Sequence, residues 1–451
     1  MGNIVASLAR AAARRPGVES DFSPRKLKIA AAILIGQTFA TSLLPYGAFS
    51  LLMIPLTREF GWTREQFSFA TTFLFIFGAA SLWPIGRIAD RIGVRPVILT
   101  GTVIVGVITL ALALQTRSLA QLYVCYALLG VFGSTGVAYL KVAAALFTQN
   151  RGKALAILGA ESTVAAALIP LATNALLIHY GWRVMYLAFG ALILAIVPIL
   201  YFTLQEPGAS AAHAHTEARG ATPAREPQAV RVRLEGMSIQ QALHDRVFWL
   251  ITLATLAGML IATGMIANIV PALIGKGFSQ TRAAEMTSLS MLVGLAGTLA
   301  GGHLADRYES ARVAVPFSVL SAVGALLLLF VTASRGGLPL LVVAMALGGF
   351  ALGAYRPMGT YFQTRYFGLG SFTEISSAQY TITNPVSAFS APLVGAIFDR
   401  THSYDIAFVL MVIAPLIAAV IWTVLPRYRF SAHLGEGPPP QRWAARRARA
   451  T

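Results

Sequence analysis

Charge is what this 451-residue chain has least of: 12% of its residues are Asp, Glu, Lys or Arg, against about 25% in an ordinary soluble domain. A water-soluble globular enzyme is excluded on that ground. Cysteine is nearly absent, and the single Cys125, set in an apolar run, rules out an intramolecular disulfide and reads as a packing residue. Carboxylates are scarce, 18 against 35 Lys plus Arg. The chain has no G-x-x-x-x-G-K-[ST] phosphate loop, no H-E-x-x-H motif and no histidine pair within an apolar run. An ATP-driven pump, an intramembrane enzyme and a bound cofactor or metal are therefore not expected. The alternating ten-residue segments of a membrane barrel are also missing.

What the chain has in their place is 56% hydrophobic residues, gathered in runs of about 20 or more, the length a helix needs to cross the hydrocarbon layer. Hydropathy places twelve spans near 29–56, 66–85, 97–115, 119–147, 154–178, 184–204, 248–273, 283–305, 313–333, 338–363, 373–398 and 404–425. In lipid every backbone polar group must be satisfied within the span, so the fold class is an all-α membrane protein with twelve transmembrane helices.

The formal net charge of +17 would point to nucleic acid in a soluble protein, but its distribution reads as topology. With both termini inside, the cytoplasmic segments hold 25 Lys and Arg and the outer loops 8, as the positive-inside rule requires. No nucleic-acid partner is expected, and the basic tail WAARRARA reads as a contact with anionic lipid. The polar stretch before the first span and the length of that span argue against a cleaved signal peptide, so the first span is expected to remain. The chain divides into an N-terminal tail (1–28), a six-helix bundle (29–204), a flexible cytoplasmic linker (205–246), a second bundle (247–426) and a basic tail (427–451). His213 and His215 in the linker read as part of a solvated loop.

The two halves repeat. Gly86-Arg87-Ile88-Ala89-Asp90-Arg91 matches Gly302-His303-Leu304-Ala305-Asp306-Arg307 at an offset of 216, and Gly61 matches Gly277 at the same offset. Lys141 with Phe147 matches Arg356 with Phe362 at 215. Such a register marks a duplicated six-helix unit.

With these features the sequence resembles the major facilitator superfamily, whose fold is two pseudo-symmetric six-helix bundles. The motif between spans two and three stands here as Gly86, Asp90, Arg91, Gly93, Val94 and Arg95, with one basic position replaced by Val94. The resemblance implies a conformational latch at the cytoplasmic mouth, formed by Gly86, Asp90, Arg91, Arg95 and the replica Asp306 and Arg307, able to hold helix ends of the other half in one state and release them in another. The stretches PYGAFSLLMIPLTREFGW, RGKALAILGA, HYGWRVMYLAFG and LVGAIFDRTHSYDIAF resemble the monocarboxylate and oxalate/formate antiporter branch. The interiors of spans eight and eleven carry no cation, and span one lacks a cation and an acidic signature, so oxalate and lactate are not implied.

Three ionisable residues lie well inside spans: Lys141, Glu161 and Arg356. Buried charges are costly and mark cavities or pairs. At 1.5 Å per residue Lys141 lies about 15 Å from the cytoplasmic Arg151, with Arg356 at the duplicate position. A cation from each half suits an anion held between them, Arg356 as a planar fork and Lys141 as a point charge that can lose its proton; the alternative is that their stems snorkel to the interface. Glu161 is a candidate for proton coupling, or the partner in a structural ion pair with Lys141. Tyr355, Tyr139 and Asn384 are candidates to complete the substrate site, among other polar residues (Gln37, Tyr46, Asn268, Gln379, Tyr380) that commonly bond to neighbouring helices. Pro45, Pro271 and Pro385 are expected to kink their spans.

The function expected is a secondary active transporter of the inner (cytoplasmic) membrane, monomeric, moving a small organic anion, in particular a monocarboxylate, by proton symport or anion exchange. The alternatives are a carrier of a neutral or drug-like compound and a membrane sensor on the same fold.

Overall fold

The computed structural model describes residues 24–39, 43–136, 139, 151–204, 236–308, 310–334, 337–368 and 371–430. Among them the secondary structure is helical, with one isolated bridge between Gly236 and Gly368. Span one is two helices, Pro24–Phe39 and Leu43–Phe60, the second with Pro45 in its first turn. Spans two and three are Arg64–Ile92 and Val94–Leu112, and span four runs Leu119–Gly133 before a turn at Ser134 and Thr135.

Spans five and six form one helical run, Arg151–Thr203. A straight helix of that length would be about 80 Å long, more than twice the hydrocarbon thickness. The run breaks at Gly181, whose φ of 80° and ψ of 171° are a conformation that a Cβ disfavours. The two arms then pack separately, Ile169 against Gly47 of span one, and Gly190 and Leu194 against Leu110 and Gly106 of span three.

In the C-terminal half, span seven is Arg246–Gly275 and span eight Gln280–Arg307. A 3-10 turn, Ala311–Ala314, leads into span nine, Val315–Phe330, and span ten is Gly337–Phe367. Span eleven is Phe372–Ala388 and Ser390–Thr401, broken at Phe389 four residues after Pro385, and span twelve is Asp405–Val424.

The duplication appears as repeated local chemistry. Gly61 and Gly277 both turn the chain with positive φ, 74° and 91°. Two residues later Thr63 and Ser279 cap spans two and eight, their hydroxyls accepting the N–H of Gln66 at 3.1 Å and of Arg282 at 3.2 Å. These caps satisfy N–H groups the helix leaves open.

Spans two and four cross through glycine, as do spans eight and ten. A Cβ on Gly130 would overlap the Leu74 carbonyl oxygen, and one on Gly349 would overlap that of Ser290. Leu74 and Ser290 are 216 residues apart, but Gly130 and Gly349 are 219 apart. The register of spans four and ten thus differs by four residues, about one helical turn, from the 215 that pairs Lys141 with Arg356. The turn at Ser134 and Thr135 is where such a shift can be absorbed. Lys141 itself lies outside the described residues.

Each half has its own core. Phe49, Phe67, Tyr126, Trp182, Tyr186 and Phe189 fill the N-terminal bundle, and Phe248, Phe362, Tyr366, Phe367 and Trp422 fill the terminus-side end of the C-terminal one.

The end of the linker departs from the flexible reading. Residues 236–245 are folded against span ten: Met237 N–H donates to the Phe367 carbonyl at 2.8 Å, and Ser238 and Gln241 form a capping box on the short helix Ile239–Leu243. The N–H groups of Arg429 and Phe430 bond to the Arg365 carbonyl, and the Arg429 guanidinium pairs with Asp245, which also caps span seven by accepting Val247 N–H at 2.9 Å. Burial pushes the Asp245 carboxyl up, but the Arg429 and Val247 hydrogen bonds outweigh it and hold it below the usual carboxylate range. His213 and His215 lie outside the described residues.

Candidate functional site

Between the halves lies a cavity of about 790 Å³. Its N-terminal wall comes from spans one, two, four and five, and is mostly apolar or glycine, including Leu51, Leu74, Phe75, Ala79, Leu82 and Pro170. Its C-terminal wall is rich in hydroxyls and amides: Thr255 and Thr263 on span seven, Thr287, Ser290 and Thr298 on span eight, and Tyr380, Thr383, Asn384 and Ser387 on span eleven. No Asp, Glu, Lys, Arg or His is among the described lining residues.

Asn384, Gln37, Tyr46 and Tyr380 reach this cavity. The two other candidate substrate residues do not. Tyr139 is fully buried in the cluster of Ile33, Val94 and Ile98, its ring against Gly36. Tyr355 is buried too, its hydroxyl bonded to Ser318 of span nine and its ring against Gly258 of span seven. Both are corrected to packing residues, because adjacency to a cation in sequence turns a side chain about 100° around a helix. Asn268 bonds to the Gly264 carbonyl at 2.9 Å, and Gln379 accepts from Gln363 in a buried pair.

Arg356 lies on span ten, its side chain outside the described residues. Gly349, Leu352 and Gly353 on that helix line the cavity, and position 356 follows at the next turn of the same stripe, by the three-and-four spacing of a helix face. Glu161 is on the span-five helix, seven residues before Leu168, which is 59% exposed. The side chain of Glu161 lies outside the described residues.

Hydrogen bonds between the halves, among the described residues, cluster on the side away from the termini. Asp399 of span eleven accepts the N–H groups of Arg64 at 3.1 Å and Glu65 at 2.8 Å, closing the N-terminus of span two, where a carboxylate complements the helix dipole. The Arg64 guanidinium lies 3.4 Å from the Phe398 ring centroid and donates to Tyr404 Oη at 2.5 Å, which donates to Asn268 at 3.3 Å. Thr72 bonds to the Ala388 carbonyl at 2.8 Å, Ser50 accepts Val270 N–H at 3.1 Å, and Asn174 donates to Thr281 at 3.2 Å. These bonds join the two halves on this side. Sequence reading missed the seam; the pairing of a residue at a predicted helix start, Arg64, with Asp399 over more than 300 residues has no local signal.

On the other side, Arg91, Asp306 and Arg307 are exposed, and none of the hydrogen bonds and ion pairs among the described residues involves them. Arg95 works within one half: its guanidinium lies 4.6 Å from the Tyr201 ring centroid and donates to the Tyr201 carbonyl, tying span three to span six. The side chain of Asp90 lies outside the described residues.

The model of the Major Facilitator Superfamily matches residues 34–285 and 259–450. This chain belongs to that family. It is 25% identical over 412 residues to monocarboxylate transporter 11 of Mus musculus, covering 88% of this chain and 87% of that protein. It is 26% identical over 344 residues to a gallate transporter of Pseudomonas putida, covering 70% and 74%. The fold matches that of a bacterial homologue of the human lysosomal transporter Spinster in an inward-facing, occupied conformation, with a TM-score of 0.69 at 17% identity, covering 89% of this chain and 97% of that one. The protein is thus a multi-pass membrane transporter of the major facilitator fold, a carrier and not an enzyme.

Proposed function

We propose that this transporter binds a small organic anion, a monocarboxylate in particular, in the cavity between its bundles, and moves it by rocking them so that the cavity opens to either side in turn. The observation that carries the reading is the register of span ten, where the cavity stripe Gly349, Leu352, Gly353 runs on to Arg356. A guanidinium at bilayer depth is costly unless it meets water or an opposite charge, and the described lining offers no carboxylate. An anionic substrate supplies that charge, and a planar fork grips a carboxylate with two parallel hydrogen bonds. Asn384 adds an amide from span eleven, and Lys141 a second cation.

The charge bias of the loops supports both termini in the cytoplasm of a cell whose inner membrane holds the protein, as a monomer. In that orientation the Asp399 seam is the outer gate and Arg91, Asp306 and Arg307 are the released parts of the inner latch. A monoanion entering against an inside-negative potential is opposed by about 2.3 kcal/mol per 100 mV, which one accompanying proton or an exchanged anion cancels. The relatives that include a monocarboxylate transporter and a gallate transporter support a carboxylate. The uncharged described lining favours, as the second reading, a carrier of a neutral compound.

Uptake of radiolabelled carboxylates into proteoliposomes, with and without an inward proton gradient, separates the two. Accumulation abolished by Arg356→Ala is the expected result, and gradient dependence distinguishes symport from exchange. Normal transport by Arg356→Ala would sink the anion reading.

A further inference from the structure

We infer, resting on the anion reading above, that the cavity takes its substrate in one orientation and prefers carboxylates with an apolar aromatic or branched body, which lies against Tyr46 and Phe75. The two walls differ in what they leave open. On span eleven, Tyr380 and Asn384 are exposed into the cavity, and none of the hydrogen bonds among the described residues involves their side chains, so this wall presents polar groups to a head group. On the opposite wall the hydroxyls are already committed: Ser50 accepts Val270 N–H, and Ser134 is bonded to Ser81 at 2.7 Å and to the Val131 carbonyl at 2.6 Å.

Most of what that wall turns to the cavity is apolar. Tyr46 and Phe75 meet edge to face with ring centroids 5.3 Å apart, and Phe75 remains 37% exposed on the cavity side. An aromatic pair that turns a face to the cavity contributes both buried area and quadrupole-directed contacts to a second ring or a branched chain. Beside it, Gly78, Gly130 and Gly133 present backbone with no side chain in the way. Acetate or formate would leave this wall against water, and the area term that favours burial would go unused. A hydrophilic body would meet few hydrogen-bonding groups there, Gln37 and Tyr46 among them.

The test uses ligand-induced thermal stabilisation of the full-length purified protein, which reads binding whether or not the bound compound is transported. The probes are phenylacetate, 3-methylbutanoate, acetate and the neutral phenylacetamide. Half-maximal stabilisation by the first two is expected at concentrations about tenfold or more below that for acetate, with phenylacetamide weaker than phenylacetate. Phe75→Ala is expected to narrow the ratio of acetate to phenylacetate about tenfold, and Phe75→Leu, which keeps an apolar body in place, to retain the preference for 3-methylbutanoate. Should Phe75→Ala not fold, Phe75→Leu carries the comparison: loss of the ring is expected to weaken phenylacetate relative to 3-methylbutanoate, and an unchanged order of the two overturns the inference. Equal potency of acetate and phenylacetate overturns the oriented-body inference and leaves the anion reading intact. Equal potency of phenylacetamide and phenylacetate overturns the anion reading. An unchanged ratio of acetate to phenylacetate in Phe75→Ala removes Phe75 as its cause and overturns the inference.

Discussion

The N-terminal and C-terminal bundles share a skeleton and differ in their inner surfaces. Both begin their second helix with a positive-φ glycine and a hydroxyl cap, Gly61 with Thr63 and Gly277 with Ser279. Both cross their second and fourth helices where only hydrogen fits, at Gly130 and Gly349. Around the cavity the likeness ends: Leu74, Phe75 and Ala79 face Thr287, Ser290 and Asn384 across the opening. Backbone-backbone approach tolerates no side chain, so the crossing keeps its glycines in both halves. A cavity wall has no such constraint and is free to differ, as the oriented binding proposed above requires.

The largest expected effect breaks the shared skeleton. Gly130→Val and Gly349→Val each drive side-chain atoms into a carbonyl oxygen, and neither is expected to yield monodisperse protein by size-exclusion chromatography. Gly348→Ala, where an added Cβ meets nothing within 4 Å, is expected to behave like the parent. Tolerance of one Val variant alone would show that the halves do not share the crossing.

The seam sharpens the comparison at the next level. Asp399→Ala leaves two backbone N–H groups of span two without their carboxylate, a loss of about 1–3 kcal/mol. Opening on that side is expected to rise about tenfold or more, read as the alkylation rate of a cysteine introduced at Ser50 in a Cys125→Ala background. Asn174→Ala removes one neutral hydrogen bond, so a change of about threefold is expected. Equal effects would mean that the charge on Asp399 is immaterial.

A smaller effect separates cavity from packing. Asn384→Ala is expected to raise the KM for the transported anion about tenfold with thermal stability retained. Tyr355→Phe, which removes the bond to Ser318, is expected to cost about 1 kcal/mol of stability with KM unchanged. A KM change in Tyr355→Phe would return that residue to the site.

The smallest effect lies in the strap on the C-terminal bundle, which joins the linker, span seven and the tail. The hydrogen bond and charge of Arg429 hold the Asp245 carboxyl below its ordinary range despite its burial, so its contribution to stability is present above the unfolded pKa and is lost as the pH falls through the folded value. The difference in melting temperature between parent and Asp245→Asn is expected to be constant above about pH 5 and to shrink below about pH 4. A difference that stays constant to pH 3 would mean that the ion pair with Arg429 adds nothing.

Much of the fold was legible because lipid imposes a coarse rule: each span had to be apolar, and its helix had to satisfy its own backbone. The duplication was legible at Gly61 and Gly277, where a turn needs one residue type. In spans four and ten the glycine crossing sits at an offset of 219 where Lys141 and Arg356 sit at 215, and a turn such as that at Ser134 and Thr135, which lies between the two anchors, has no signal in a match of single residues. Tyr139 and Tyr355 were misplaced for a related reason, since depth along a helix is read from residue number but direction around it needs the neighbouring helices. The folded end of the linker had a signal, the Ser238-x-x-Gln241 capping box, hidden in a polar stretch.

By itself the sequence determined that the chain crosses the membrane twelve times in two repeated halves, because hydrophobic length and glycine turns act locally. The tertiary structure alone decided which polar residues face the cavity and that the halves are joined on one side by Asp399 on the start of span two. Those depend on contacts between helices hundreds of residues apart, set by packing angles and not by any single segment.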